Sequence, residues 1–163
     1  MLFHDQLSSK LQSKEQALQL INKVKASGGT VVFTNGCFDI LHPGHVDYLA
    51  QARDQGDYLV LGLNTDDSVK RLNKAPNRPI NSEQARAHVL AGLGSIDSIV
   101  LFNEDTPLEL ITYLKPNVLV KGNDYRIEQI VGHDVVMAYG GKVITIPLLE
   151  GFSTSSIIKK ILQ

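Results

Sequence analysis

The sequence predicts an α/β fold: a doubly wound, five-stranded parallel sheet with crossover helices. Three observations predict it. Short apolar runs alternate with helical patterns along the chain. The runs are continuous rather than alternating, as expected of strands buried on both faces. The stretches between them carry helix start and stop signals and are long enough for crossover connections.

The elements follow in order. Residues 13–26 read as an amphipathic helix ended by Gly28-Gly29. The first strand is VVFTN (31–35). Pro43 then fits the first helical position after His42, and Gly56 closes that helix. YLVLGL (58–63) is the second strand, after which Asp66-Asp67 reads as a helix N-cap. Asn81 with Gln84 forms a capping box before RAHVLAGL, and SIVLF (98–102) is the third strand. Thr106, Pro107 and Glu109 give a stronger box before LELITYL. NVLVK (117–121) and KVITIP (142–147) complete the sheet, and Ser153 caps a last helix, SSIIKKIL. No linker or repeat divides the chain, so residues 1–163 are expected to form a single domain, with 1–27 as an N-terminal helical extension.

Composition narrows the function. A length of 163 residues, 43% hydrophobic, is enough for one full core. The 16 basic and 17 acidic residues leave a net charge of −1, which does not suit a phosphate-tracking surface, so nucleic acid is not expected as a partner. Cys37 is the only cysteine, which excludes an internal disulfide and fits a reducing compartment. The stretch MLFHDQLSSKLQSKEQ has no apolar h-region, and no apolar run reaches the roughly 18 residues of a membrane span. A soluble cytoplasmic protein without membrane attachment is expected.

Sheets of this kind bind ligands at the carboxyl ends of their strands, near the point where strand order reverses. GCFDILHPGH (36–45) occupies the exit of the first strand. With Pro43 opening the helix, His42 and His45 project from its first turn, where unpaired backbone N–H groups favour an anion. Gly44 lets a ligand approach the backbone. Two imidazoles there can donate to phosphate oxygens. Thr34, Asn35, Gly36, Cys37 and Phe38 form the preceding turn, whose N–H groups can join the cradle. On geometry alone, phosphate binding, metal binding and a plain structural role all stay open for the histidine pair. Lys70, Arg71, Lys74, Arg78 and Arg86 concentrate five of the 16 basic residues between 70 and 86. They are the densest supply of positive charge for phosphate groups. Cys37 reads as a small buried residue rather than a nucleophile, and His88 and His133 read as structural.

GCFDILHPGHVDYL resembles the H-x-G-H signature of the nucleotidyltransferase superfamily, whose fold is Rossmann-like. LGLNTDDSVKRL, RPINSEQARAHVL, EDTPLELI, PNVLVKGNDY and LEGFSTSSIIKKI narrow the resemblance to the adenylyltransferase domain of the heptose-phosphate enzymes. The resemblance implies that His42 and His45 contact nucleotide phosphates and act in catalysis with Lys121. It further implies a nucleotide site made by Thr34, Asn35, Gly36, Cys37, Phe38, Asp39, Gly44, Asn64, Gly122, Asp124, Ser153, Thr154 and Ser155. Arg71, Lys74, Arg78 and Arg86 are implied as substrate or phosphate ligands. Mg²⁺ is implied as the cofactor, carried by ATP phosphates with no fixed protein ligands. The implied reaction transfers AMP from ATP to a sugar 1-phosphate, D-glycero-β-D-manno-heptose 1-phosphate, feeding lipopolysaccharide or another glycan. A sugar kinase on a separate chain and a homodimer or higher homo-oligomer are implied partners. Leu148 stands where cytidylyltransferases carry an arginine (R-T-E-G). A cytidylyltransferase acting on glycerol 3-phosphate or a similar polyol phosphate, and a non-catalytic nucleotide-binding module, remain the alternatives.

Overall fold

In the computed structural model, which describes residues 2–163, the sheet has six strands rather than five. Met1, where the expected domain and its extension begin, lies outside the described residues. The strands are β1 (Leu11–Gln12), β2 (Val31–Gly36), β3 (Tyr58–Asn64), β4 (Ser98–Phe102), β5 (Val118–Gly122) and β6 (Lys142–Ile146). Their order is β1-β4-β3-β2-β5-β6, every pair parallel. β2 to β6 fall on the five apolar runs. β1 has only two residues, too few for any periodicity to show. Ile99 N donates to Lys10 O at 2.7 Å and Ser98 Oγ donates to Gln12 Oε1 at 2.6 Å, fixing β1 on β4. The N-terminal segment therefore adds a strand to the sheet as well as helices.

The helices are α1 (Phe3–Ser9), α2 (Lys14–Ala26), α3 (Pro43–Arg53), α4 (Asp66–Arg71), α5 (Glu83–Ala91), α6 (Leu108–Leu114), α7 (His133–Ala138) and α8 (Thr154–Ile161). Two apolar layers explain why the strand runs are continuous. On one face Val32, Leu59, Leu61, Leu63, Ile99 and Val120 pack with Leu49 and Ala52 of α3, Leu90 of α5 and Leu7 of α1. On the other, Val31, Phe33, Val60, Val100 and Leu119 pack with Ala17 and Ile21 of α2, Ile111 and Leu114 of α6 and Val136 of α7. Alternate residues of one strand thus enter opposite cores.

The helix starts differ from expectation in three places. Ser82, not Asn81, caps α5 and accepts from Ala85 N at 3.3 Å, because Asn81 is engaged elsewhere. Pro107 holds the N-cap position of α6 with no side-chain cap, so the Thr106–Glu109 box does not form. Thr65 caps α4 through Ser68 N, which moves Asp66 and Asp67 into the first turn. Ser13 and Gln16 make a reciprocal capping box on α2, and Ser153 accepts from Ser156 N at 3.0 Å on α8. Among the described residues no helix is long and apolar enough to cross a membrane.

The strand order reverses at β2. From it the chain passes through α3 to β3 on one side, and β5 returns on the other. The crevice at the carboxyl ends of β2 and β5 is the switch point.

Candidate active site

The β2 exit is built by its sequence. Phe38 sits at φ 46°, a left-handed conformation uncommon for a bulky residue, and folds its ring back against the helix start. A Cβ on Gly36 would lie 2.7 Å from that ring, so only glycine fits ahead of it. His42 is the extended N-cap residue of α3 and Pro43 its first helical residue, as the sequence predicts. The His42 and His45 rings then stack, centroids 3.7 Å apart and 20° from parallel. The edge of Phe38 meets His45 at 5.1 Å. At Gly44 an added Cβ would come within 3.0 Å of His42 Nδ1.

Neither histidine Nδ1 has a hydrogen-bond partner, although both atoms are buried. Burial lowers the pKa of His42. His45 is pushed down to about 4, first by burial, then by the charge of His42 and that of Arg78. Both rings are therefore neutral in the free protein near pH 7. A neutral imidazole keeps one N–H to donate, and an arriving anion would favour the charged form.

Around them lies a cavity of about 370 Å³. Its wall contains Asn35, Gly36, Cys37, Phe38, Asp39, His42, Gly44, His45, Lys74, Arg78, Lys121, Gly122, Asp124, Ser153, Thr154 and Ser155. The structure thus brings together most of the residues singled out from the sequence. Lys121, at the end of β5, points its ammonium toward Asn35 O at 3.4 Å and lies 5.9 Å from the Tyr125 ring. Burial, then the neighbouring Lys74 charge, lowers its pKa to about 8. Thr154 Oγ1 donates to Ile40 O at 3.3 Å, tying the start of α8 to the turn before His42. Two helix N-termini, those of α3 and α8, consequently face one cavity.

Four residues expected in the site lie outside its wall. Thr34 is fully buried, with its hydroxyl 2.7 Å from Tyr48 Oη and donating to Val120 O at 3.0 Å. It joins β2, α3 and β5 beneath the cavity. Asn64 is buried and donates to Ser68 Oγ at 3.0 Å. Arg71 pairs with Asp105 at 2.7 Å on the outer surface. Arg86 is 2% exposed and donates to Asn81 O, Cys37 O, Asn64 O and Asp66 Oδ1. A guanidinium buried among four acceptors holds the turn together, with four of its five N–H donors committed to the protein. Asp39 lines the wall, yet its carboxylate is committed to Ile80 N, Asn81 N and Arg78.

Tyr48 and Leu148 line the wall too, and Tyr125, Leu149 and Phe152, which sequence reasoning did not single out, complete it. They sit inside the quoted segments VKGNDY and LEGFSTSS, but an apolar rim has no chemical signature. Phe152 stands 6.4 Å from His42, its ring nearly parallel. Among the described residues no three His, Cys, Asp or Glu side chains cluster to hold a metal. Asp124 is the one carboxylate of the wall not already engaged with backbone amides.

Comparison with known proteins agrees with this geometry. The family model described as cytidylyltransferase-like matches residues 33–160. Bifunctional protein HldE of Trichlorobacter lovleyi is 54% identical over 162 residues, covering 99% of this chain and 33% of the relative. The HldE protein of Caulobacter vibrioides is 54% identical over 151 residues, 93% of this chain and 31% of the relative. The chain spans about a third of the length of these relatives. The crystal structure of a lipopolysaccharide core biosynthesis protein from Thermoplasma volcanium superposes with a TM-score of 0.64 at 28% identity, covering 76% of this chain and all of that one. A Francisella tularensis pantoate-beta-alanine ligase shares the fold, with a TM-score of 0.61 at 16% identity, covering 91% of this chain and 75% of that one. The signature histidines on α3, the switch-point cavity and these matches together place the chain in the cytidylyltransferase-like family of nucleotidyltransferases.

Proposed function

We propose that this chain transfers AMP from ATP to a sugar 1-phosphate, with D-glycero-β-D-manno-heptose 1-phosphate as the acceptor, releasing pyrophosphate and an ADP-heptose. One observation carries the reading: a stacked histidine pair with unpartnered buried Nδ1 atoms faces a cavity flanked by two helix N-termini. An acceptor phosphate oxygen attacks the α-phosphorus, and the bond to the bridging α–β oxygen breaks. The electron pair leaves with pyrophosphate. The attacking oxygen is already anionic, so no general base is needed, and catalysis is positioning with charge stabilisation. His42 and His45 donate to oxygens on the reacting phosphate, Lys121 supplies a cation from β5, and Ser153 to Ser155 with the α8 N-terminus receive the remaining phosphates. Lys74 and Arg78 close the cavity from the loop after α4.

A divalent cation, Mg²⁺, would arrive on the triphosphate, with Asp124 as the wall carboxylate able to reach it, and would neutralise charge on the phosphates. The kinase activity that would supply the sugar 1-phosphate and an oligomeric assembly belong to the same reading. So do the cytoplasmic location and the treatment of the chain as one catalytic domain. Leu148, where cytidylyltransferases resemble one another in carrying arginine, supports ATP over CTP.

The test is a matrix of ATP and CTP against heptose 1-phosphate and glycerol 3-phosphate, read by pyrophosphate release. Selectivity for ATP with heptose 1-phosphate supports the reading. Selectivity for CTP with glycerol 3-phosphate overturns both the nucleotide and the acceptor.

A further inference from the structure

Arg78 and Asp39 form the most deeply buried ion pair facing the cavity. Their side chains are 9% and 0% exposed, and Arg78 Nε lies 2.6 Å from Asp39 Oδ2. The two groups are in contact, but Nε is not aligned on the carboxylate as a hydrogen bond, so attraction rather than a directed bond holds that edge. The rest of the carboxylate is saturated. Ile80 N reaches both oxygens at 2.9 and 2.8 Å, and Asn81 N reaches Oδ1 at 2.9 Å. Asn81 Nδ2 also donates to Asp39 O at 2.8 Å. Asp39 therefore cannot turn toward a ligand, and an anionic ligand would not seek it.

Arg78 is different. Apart from Asp39 no ion pair engages its guanidinium among the described residues, and the side chain lines the cavity. A guanidinium has donors on two edges, so one edge can be fixed by a carboxylate while the other meets phosphate oxygens. Arg78 lines the same cavity as the histidine pair.

We propose that Asp39 is a positioning residue that grips the Nε edge of Arg78 so that its terminal nitrogens face the phosphoryl group held by His42 and His45. Asp39 itself touches no substrate. The claim refines the nucleotidyl-transfer reading and rests on it for the identity of the anion. A buried carboxylate at that point would otherwise serve only to anchor residues 80–81.

A double-mutant cycle separates these roles. Inorganic pyrophosphate binding is measured by calorimetry for the parent, Asp39→Asn, Arg78→Gln and the double variant, with thermal unfolding recorded for each. Each single change should weaken binding roughly tenfold, the scale of one charge-assisted contact. The double variant should be no weaker than either. Additive losses, or Asp39→Asn within twofold of the parent, would overturn the proposal. Should Asp39→Asn fail to fold, Arg78→Lys decides. It keeps the charge beside Asp39 but has no second edge, so it should bind pyrophosphate as poorly as Arg78→Gln. Parental affinity in Arg78→Lys would sink the idea. Pyrophosphate release from ATP in the presence of heptose 1-phosphate by the parent enzyme is followed in parallel. If the parent binds pyrophosphate but releases none from ATP, the functional reading fails while the cycle still judges Asp39.

Discussion

His42 and His45 meet at 3.7 Å because Pro43 starts the helix between them and Gly44 leaves room for the first ring. At that separation two imidazolium charges would repel, so burial and proximity keep the rings neutral until an anion arrives. His45→Ala removes one donor aimed at developing charge, and turnover should fall by about 10²–10³ with a much smaller change in ATP affinity. Steady-state turnover beside equilibrium ATP binding checks this. The same burial has a consequence for stability. The pKa of His45 falls from 6.5 when unfolded to about 4 when folded, so the unfolded chain binds the extra proton first. Stability should therefore drop as pH is lowered from 6.5 toward 4, and His45→Gln should flatten that drop in thermal-unfolding midpoints. Lys121 works in the opposite range. Its pKa of about 8 in the free protein should rise when phosphate binds. Above pH 8 nucleotide binding must then take up a proton, and affinity should fall. Lys121→Arg stays charged and should remove that slope, which calorimetry in buffers of different ionisation enthalpy would detect.

At the scale of elements, α5 and the loop before it hold the ends of β2 and β3 together. Arg86 does this from α5 by bonding Cys37 O at 2.7 Å, Asn64 O at 2.9 Å and Asp66 Oδ1 at 2.8 Å. Arg86→Ala would leave two buried carbonyls unpaired and Asp66 without its partner, a loss of about 3–5 kcal/mol. Denaturant unfolding measures it; a loss below about 1 kcal/mol would contradict this role. The arginine was visible in the sequence as part of a basic cluster, but its burial was not, since charge density says nothing about which side chains turn inward. Arg71 and Arg86 read alike in the chain, yet one is on the surface and the other is enclosed. The helix start at His42 and Pro43 was legible, because proline fixes the first helical position, whereas the left-handed Phe38 and the stacking of the two rings were not. The helix caps near Asn81 and Thr106 were misread because tertiary partners took Asn81 and a proline took the cap of α6. The loop between α4 and α5 is exposed over residues 71–77 and carries Lys74 on the cavity wall. Protease cleavage there should slow when ATP and Mg²⁺ are added, as expected of a segment that closes over phosphates. Equal cleavage rates would speak against closure.

Across the whole molecule, the sheet places β2 and β5 side by side at the switch point, and everything proposed for the site depends on that adjacency. Five apolar runs were enough to foresee a parallel sheet with a site at the exit of its first strand, but not the strand order; the two-residue β1 at the far edge was not foreseeable and does not touch the site. A second hollow, about 580 Å³, lies along β1, β4 and α6. It is larger than the switch-point cavity, but no histidine lines it, and the α2 N-terminus on its wall is already capped by Ser13. The central claim is therefore that the α-phosphorus of ATP is the atom attacked in the smaller cavity. ³¹P NMR of the protein with ATP, Mg²⁺ and heptose 1-phosphate tests it most directly. The account predicts two coupled resonances of a sugar diphosphate diester growing together with pyrophosphate, and a loss of both in His42→Ala/His45→Ala. Growth of ADP with a second phosphate on the sugar would show attack at the γ-phosphorus and contradict it.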